Sequence, residues 1–244
     1  MLPARRKRKG IAIIKHLYLI AIATSIFGLT SAVGANAQTP PGKAEIAAYT
    51  GLHAAAARGD TAAIGKLAKN RAAALEEKDG NGRTPLHVAT FLKQRQAIAS
   101  LIRAGANTAA LDNQKYDAVT IASVADDPMT LKVLLDNGAS AKLTTSIYDG
   151  TALIAAAHLG HDEVVRLLIR AGAPLDHVNN LHWTAAIEAV TLGNGGTRHQ
   201  RTLKHLIDAG ANTKLADAQG RTPLYHARSR GYKEMVKMLT PSAK

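Results

Sequence analysis

The sequence predicts an all-α solenoid of about six stacked helix–turn–helix repeats, and three observations support this fold class. A block of about thirty-three residues recurs between Thr50 and Lys244. Two independent markers keep the same register in every copy, and glycine follows the second predicted helix in several copies. Units of this size cannot bury an apolar face alone, so neighbouring units must stack around one continuous core.

The first marker is an apolar residue with an alanine three positions later. The apolar member recurs with spacings of 34, 33, 34, 33 and 38 residues. Its positions are Leu52, Leu86, Val119, Leu153, Ala186 and Leu224. The alanines are Ala55, Ala89, Ala122, Ala156, Ala189 and Ala227. Small residues at this spacing predict a short helix that neighbouring helices approach closely.

The second marker is a pair of apolar residues at the fifth and eighth positions after a glycine or polar residue. The pairs are Ile64 with Leu67, Ile98 with Leu101, Leu131 with Leu134, Val165 with Leu168, Leu203 with Leu206, and Val236 with Leu239. The fifth pair follows the rule only after five additional residues are skipped. This spacing predicts a second helix in each copy, with one apolar face.

Residues 1–37 precede the array and have the three parts of a secretory signal. Basic residues between Arg5 and Lys15 precede an apolar stretch, and an A-x-A motif ends at Ala37. We therefore predict a signal peptide over 1–37, cleavage after Ala37 and export to the periplasm. The alternative is a retained inner-membrane anchor, because the stretch of low charge extends to Val33, close to the length that spans a bilayer.

Charge and cysteine content constrain what the exported protein can do. Loss of six basic residues with the signal lowers the formal charge of +13 to 13 − 6 = +7. This excess favours acidic protein surfaces, anionic lipid headgroups or cell-wall polymers over nucleic acid, or it serves solubility alone. Without cysteine, packing must supply the stability, and a cysteine nucleophile and thiolate metal sites are excluded.

The mature chain is predicted to begin with a flexible lead and the start of the first helix over 38–49. The second repeat then shows how one copy is built. Residues 79–82 have turn chemistry, and Thr84 and Pro85 are suited to the cap and first position of a helix. A second helix follows over 94–104, and Gly105 is suited to end it in the left-handed conformation.

These residues resemble the ankyrin-repeat family, whose repeat has a T-P-L-H-x-A signature. Residues 84–89 read T-P-L-H-V-A and residues 222–227 read T-P-L-Y-H-A, whereas the third and fifth copies depart most from the signature. The resemblance covers 50–244 and implies repeats with a β-turn finger and two antiparallel helices. Their approximate bounds are 46–78, 79–111, 112–145, 146–178, 179–216 and 217–244. It also implies that His53 and His87 tie neighbouring loops together.

No catalytic or cofactor-binding pattern stands out. His158 and His161 have ligand-like spacing, but a turn separates them and no cysteine or carboxylate completes a metal set. Residues 193–196 lack the Lys-Ser/Thr of a phosphate loop, and no G-x-S-x-G occurs. We therefore expect no enzyme activity, no cofactor and no metal. The inserted segment 195–201 is interpreted as a loop extension, with a second contact site as the alternative.

The family resemblance implies that a protein ligand lies in the groove between the fingers and the first helices. Aromatic and arginine side chains are effective anchors in such an interface. The predicted binding residues are Arg83, Phe91, Leu92, Tyr116, Tyr148, His158, Leu159, Leu181, Trp183, Leu192 and Arg221. Arg83 and Arg221 are expected at the two ends of this patch. The alternative is that the rings pack against neighbouring fingers as ordinary filler.

The predicted function is that of a monomeric, non-catalytic protein-interaction module in the periplasm, which binds and regulates or stabilises another protein. Nucleic acid is not an expected partner, and the membrane is one only if the signal segment is retained. The alternatives are an envelope scaffold anchored in the inner membrane, or an enzyme or metal protein whose residues are dispersed along the chain.

Overall fold

Thirteen α-helices and one short hairpin follow one another between residues 38 and 240, the part of the chain that the computed structural model describes. The predicted signal peptide over 1–37 and its cleavage after Ala37 lie outside these residues. Helix α1 (Lys43–Ala48) comes first and is separated from the array by an extended Tyr49. Residues 40–240 belong to one compact unit.

Six antiparallel helix pairs follow α1, which confirms the predicted all-α repeat architecture. The pairs are α2 (Gly51–Arg58) with α3 (Thr61–Asn70), α4 (Pro85–Phe91) with α5 (Arg95–Arg103), α6 (Ala118–Val124) with α7 (Pro128–Asp136), α8 (Ala152–Leu159) with α9 (Asp162–Arg170), α10 (Ala185–Thr191) with α11 (Thr197–Asp208), and α12 (Pro223–Ser229) with α13 (Lys233–Leu239).

Irregular segments connect these pairs. A 3₁₀ helix over Ala72–Glu76 follows α3. In the finger of the fourth repeat, strands β1 (Thr144–Thr145) and β2 (Gly150–Thr151) pair antiparallel, with Thr144 opposite Thr151. The second sequence marker predicted a second helix in every copy, and all six are present. These helices are called the outer helices below: α3, α5, α7, α9, α11 and α13.

Both sequence markers lie in the core. All six alanines of the first marker are buried, and so are its apolar partners except Leu224, which is partly exposed. In the second marker, Leu67 and Val236 are partly exposed and the remaining ten residues are buried. The buried residues form one continuous cluster from the first repeat to the last. The core is therefore the stacked spine that the repeat spacing predicted.

The copies that depart from the signature keep the same backbone. In the third repeat, Asp117 replaces the capping threonine and accepts a hydrogen bond from the N–H of Thr120 at 2.8 Å. Between the two helices of the same repeat, Asp126 adopts the positive φ that Gly160 has in the fourth repeat, at 51° and 69°. Side-chain substitution therefore alters the local strain without altering the fold.

The inserted residues of the fifth repeat do not extend a loop. Residues 197–201 instead form the first turn and a half of α11, which has 12 residues where the equivalent helix α9 has 9. The interpretation of 195–201 as a loop extension is therefore wrong for most of the segment. In the part of the chain that the structure describes, no helix is both long and apolar enough to cross a bilayer.

Candidate protein-binding groove

Each finger is shaped by one polar side chain at its start. In the second repeat, Asp79 Oδ1 accepts the backbone N–H groups of Asn81 and Arg83, both at 2.9 Å. The residues at this position are Asp79, Asp112, Ser146, Asn179 and Asp217. Such turns fix the finger backbone and present the last finger residue in the same place in every copy.

Hydrogen bonds between neighbouring fingers hold the row in line. His53 donates from Nε2 to the carbonyl of Arg83 at 2.9 Å, and His87 donates from Nε2 to the carbonyl of Tyr116 at 3.1 Å. Burial lowers the pKa of His87, so its ring is neutral and keeps this arrangement at neutral pH. The predicted scaffold role of His53 and His87 is confirmed.

In the later repeats, different residues make the finger-to-finger contact. The hydroxyl of Thr120, at the histidine position of the third repeat, lies 2.9 Å from that of Thr145 in the next finger. In the fifth repeat, the N–H of Asn180 donates to the carbonyl of Tyr148 at 2.9 Å. The fingers therefore stay connected where the signature histidine is missing.

Ten of the eleven predicted binding residues are partly exposed and lie on the fingers or at the ends of the first helices. They are Phe91, Leu92, Tyr116, Tyr148, His158, Leu159, Leu181, Trp183, Leu192 and Arg221. Most of these side chains are apolar or aromatic, so their exposed faces give the groove an apolar centre. Partial burial holds each ring in place while part of it stays accessible to solvent, as in an interface anchor.

Arg83 is the exception, because its side chain is completely buried. Its guanidinium donates to Asp79 Oδ2 at 2.7 Å, to Tyr49 Oη at 3.2 Å and to Glu45 Oε1. Glu45 belongs to α1, which covers the finger of the second repeat. The prediction that Arg83 is an exposed anchor at the end of the groove is therefore wrong.

Electrostatic pairing explains why this arginine can be buried. Burial alone would raise the pKa of Asp79, but hydrogen bonds from Tyr49 and Arg83 lower the pKa below its ordinary value. The carboxylate stays ionised and neutralises the guanidinium. The cluster of Glu45, Tyr49, Asp79 and Arg83, here called the N-terminal cluster, joins α1 to the first two repeats.

Arg221, at the equivalent position in the sixth repeat, keeps part of its side chain in solvent. It pairs with Asp217 at 2.8 Å, and His226 Nε2 donates to the same carboxylate oxygen at 3.0 Å. Burial opposes ionisation of Asp217, but these hydrogen bonds bring its pKa down to about 2. Arg221 therefore stays partly exposed at the C-terminal end of the groove, with its charge balanced by Asp217.

A buried acid lies beneath the groove in the fifth repeat. Glu188 is only 4 % exposed, and His158 Nδ1 donates to its Oε2 at 3.0 Å. Asn179 Nδ2 donates to the other carboxylate oxygen at 3.3 Å. Sequence reasoning missed Glu188, although a carboxylate at a position that is Val88 in the second repeat was a visible signal.

The inserted turn of α11 joins three repeats through charges. Arg198 lies 2.9 Å from Asp126 of the third repeat and 3.1 Å from Asp162 of the fourth. Arg201 pairs with Asp162 at 2.5 Å. Burial would raise the pKa of Asp162, but the hydrogen bonds from both arginines lower it. These contacts were not visible in the sequence, because Asp126 and Arg198 are far apart along the chain.

His199 completes this inserted contact. Its Nε2 donates to the carbonyl of His158 at 3.1 Å. Its ring packs against two glycines: a Cβ at Gly160 would lie 2.7 Å from the ring, and one at Gly193 would lie 2.6 Å from it. We call Arg198, His199 and Arg201 the clasp. It fixes the backbone of His158, whose side chain reaches Glu188.

The histidines that suggested a metal site have other partners. His161 Nδ1 donates to the carbonyl of Ser123 at 2.9 Å, and His158 bonds Glu188. Within residues 38–240, no group of three or more histidine, aspartate or glutamate side chains is placed to hold a metal ion. The groove offers apolar contact and hydrogen bonding, which is the chemistry of binding.

Comparison with known proteins supports this interpretation. The family model for ankyrin repeats in three copies matches residues 119–197, and the single ankyrin-repeat model matches residues 81–113 and 219–243. The chain is 30% identical over 162 residues to the ankyrin repeat protein YahD of Escherichia coli, which covers 66% of this chain and 80% of that protein.

A mouse relative is similar over a smaller part of its own length. The B-cell lymphoma 3 protein homolog of Mus musculus is 29% identical over 199 residues, which cover 79% of this chain but 44% of that protein. The matched part of this chain therefore spans less than half of the mouse protein.

Solved structures show the same architecture. An ankyrin repeat domain from Acinetobacter baumannii AYE has a TM-score of 0.71 and 45% sequence identity, over 77% of this chain and 95% of that chain. The ankyrin repeat domain of Bcl-3, described as a unique member of the IkappaB protein family, also has a TM-score of 0.71, with 28% identity over 78% of this chain and 85% of that chain.

Proposed function

Because the chain belongs to the ankyrin-repeat family, whose members are generally protein-interaction modules, we propose that it is a non-catalytic module that binds another protein in its groove. The observation that supports this proposal most strongly is the row of partly exposed apolar side chains on regularly hydrogen-bonded fingers. Phe91, Tyr116, Tyr148, Leu159 and Trp183 form the central part of this row.

The fingers and first helices suit this role because they are rigid before the partner arrives. Each finger is closed by its own polar side chain and tied to its neighbour. Aromatic side chains on such a scaffold lose little conformational entropy on binding, so more of the contact energy remains as affinity. Binding without a large change of shape is therefore the expected mode.

We place this activity in the periplasm, where the monomeric protein regulates or stabilises its partner. The support is the signal-like composition of residues 1–37. The second candidate is an envelope scaffold held in the inner membrane by the same segment, since its low-charge stretch is close to a membrane-spanning length. Sequencing the N-terminus of the mature protein separates the two, because Gln38 as first residue leaves no anchor.

Affinity capture from periplasmic extract tests the groove itself. The tagged protein is compared with the triple variant Tyr116→Ala, Tyr148→Ala and Trp183→Ala, and the partner is expected to be lost from the variant. A control variant, Lys66→Ala with Lys132→Ala and Arg170→Ala, removes three side chains from the outer helices and should keep the partner. If the triple variant has a native circular dichroism spectrum and still captures the same proteins, the groove assignment is wrong.

A further inference from the structure

One aligned position on the floor of the groove lies at the C-terminal end of the first helix in each repeat. In chain order it is occupied by Arg58, Leu92, Ala125, Leu159, Leu192 and Arg230. The four middle repeats thus have an apolar residue where the first and last repeats have arginine. Leu92, Leu159 and Leu192 of this row are among the residues that the sequence predicted to bind a partner.

Both terminal arginines are exposed to solvent. Neither side chain forms an ion pair with any other residue between 38 and 240. Cations on the outer helices differ, because several have an acid on the same helix within reach. Lys132 pairs with Asp136 at 2.5 Å and Lys204 pairs with Asp208 at 2.8 Å. Within the described part of the chain, Arg58 and Arg230 therefore lack the compensating acid that Lys132 and Lys204 have.

No acidic side chain between residues 38 and 240 forms an ion pair with Arg58 or Arg230, and three acids on the groove side have other partners or lie elsewhere. Glu188 is buried and bonded to His158, and Asp217 is buried and paired with Arg221. Asp149 is exposed, but it lies at the fingertip of the fourth repeat, in the middle of the row. The aligned row is therefore apolar in its centre and ends on each side in an arginine that is unpaired among the described residues.

We propose that the partner segment bound in this groove is apolar in its middle and acidic at both ends, with its acids paired to Arg58 and Arg230. This inference rests on the proposed function and adds the chemistry of the partner. Helices pack about 10 Å apart, so five repeat steps place the two arginines about 50 Å apart. An extended segment of about 15 residues spans that length.

The charge pattern also determines what the arginines contribute. Exposed ion pairs add little affinity, but they steer association and reject segments with the wrong charge. The apolar centre therefore supplies most of the binding energy, and the arginines select segments whose two ends are negatively charged. Basic-ended segments with the same apolar centre are disfavoured at both ends.

Selection from a displayed library of random sixteen-residue peptides tests this inference on the purified protein. The wild type should enrich peptides with an apolar centre and aspartate or glutamate at both ends. The variant Arg58→Glu with Arg230→Glu should enrich lysine or arginine at the ends instead. A matched control, Lys66→Glu with Arg170→Glu, makes the same change of net charge on the outer helices and should select as the wild type does.

Binding constants of the selected peptides give the quantitative test. The double reversal should weaken an acidic-ended peptide at least tenfold, and added salt should weaken its binding to the wild type but not to the double reversal. The inference is overturned if both proteins select the same termini, or if nothing is enriched over an uncoated surface. The inference is also overturned, in favour of a membrane surface, if no acidic-ended peptides are enriched and the protein binds anionic phospholipid vesicles through Arg58 and Arg230.

The variant Trp183→Ala separates this inference from the function on which it rests. If the enriched peptides lack charged ends but are lost from Trp183→Ala, the groove still binds and only the charge inference fails. If the enriched peptides bind Trp183→Ala as well as the wild type, the groove is not the binding site and the proposed function fails with it.

Discussion

The second and fifth repeats share one backbone plan but are tied to their neighbours by different residues. In the second repeat, His87 reaches the next finger and Arg83 joins the N-terminal cluster. In the fifth repeat, Ile187 occupies the histidine position, and the ties are Glu188 and the clasp. The second repeat is thus fastened at its finger. The fifth repeat keeps the bond between the Asn180 and Tyr148 backbones of neighbouring fingers and is fastened in addition at its first helix and at the turn between its helices.

This difference shows that, in a stacked array, the packing of the core and the polar contacts between neighbouring repeats can vary independently. Leu86 and Ala186 occupy the same buried position in the two repeats, although they differ in volume. The polar contacts need only join one copy to the next, so several places on the unit can supply them. A copy can therefore lose the signature and keep its place if another contact replaces it.

The largest expected effect comes from opening the N-terminal cluster of the second repeat. Replacement Arg83→Met leaves the carboxylate of Asp79 buried without its cation. Loss of one partner of a buried ion pair costs about 3–5 kcal/mol. Urea denaturation should therefore show a large loss in the free energy of unfolding. Hydrogen exchange should show reduced protection of the backbone amides of α1.

An exposed ion pair in the same region serves as the control. Arg71 and Glu77 lie 2.7 Å apart with most of the arginine side chain in solvent. Arg71→Met should cost less than about 1 kcal/mol, because surface pairs contribute little. Equal losses in the two variants would show that burial of Arg83 has no special role and would remove the contrast with the fifth repeat.

The clasp can be broken from the fourth repeat by Gly160→Ala. Gly160 has a φ of 69°, and a new Cβ would lie 2.7 Å from the His199 ring. The left-handed backbone costs about 1–2 kcal/mol and the overpacking about 1–3 kcal/mol more. Gly231→Ala is the matched control, because its φ is 70° and an added Cβ meets nothing within 4 Å.

The clash contribution is isolated by a double-mutant cycle. In the Gly160→Ala/His199→Ala variant the ring is absent, so the loss in the free energy of unfolding should be smaller than the sum of the two single losses. A coupling of about 1 kcal/mol or more is expected for residues in contact. Simple additivity would mean that the ring moves aside at no cost and that the clasp does not hold this turn.

A smaller, stabilising effect is expected from Thr202→Val in the fifth repeat. The hydroxyl of Thr202 is buried and has no hydrogen-bond partner among the described residues, whereas the equivalent residue in the fourth repeat is Val164. Replacing an unsatisfied buried hydroxyl by a methyl group of the same shape should raise stability by about 1 kcal/mol.

The third repeat supplies the control for this substitution. There the equivalent Thr130 donates its hydroxyl to Asp127 at 2.8 Å. Thr130→Val should therefore lower stability, while Thr202→Val raises it. Thermal or urea unfolding of both variants checks the prediction, and a change of the same sign in both would contradict it.

The smallest expected effect is a pH dependence carried by the clasp. Burial lowers the pKa of His199 below its ordinary value, although the hydrogen bond to the His158 carbonyl opposes this, and the charge of Arg198 adds to the lowering. At a pH between the pKa of His199 in the folded chain and its higher pKa in the unfolded chain, the unfolded chain binds the proton and the folded chain does not. Stability from this group is therefore complete above about pH 6.5 and is lost as pH falls below that value.

The variant His199→Gln lacks this titrating group. The free energy of unfolding of the variant should therefore fall less steeply between pH 7 and pH 5 than that of the wild type. Gln200→Ala, on the same turn, changes no titrating group and should keep the wild-type slope. Identical slopes for wild type and His199→Gln would show that the clasp does not respond to protons.

Much of the groove was predictable because repeat register assigns each residue to a face. Trp183 and Leu192 were placed in the groove from their positions relative to the signature, and both are partly exposed there. Arg83 was placed by the same rule, but α1 buries it. Since register describes only the repeating units, it carries no information about a helix that precedes them.

The sequence by itself determined the number of copies, their caps, their left-handed turns and their buried spine, because these depend on residues close together in the chain or repeated at one period. Only the tertiary structure decided the burial of Arg83, the pairing of His158 with Glu188, and the clasp. Those contacts join side chains about 30 to 70 residues apart. Whether such distant groups meet depends on how the repeats stack, and no local pattern encodes it.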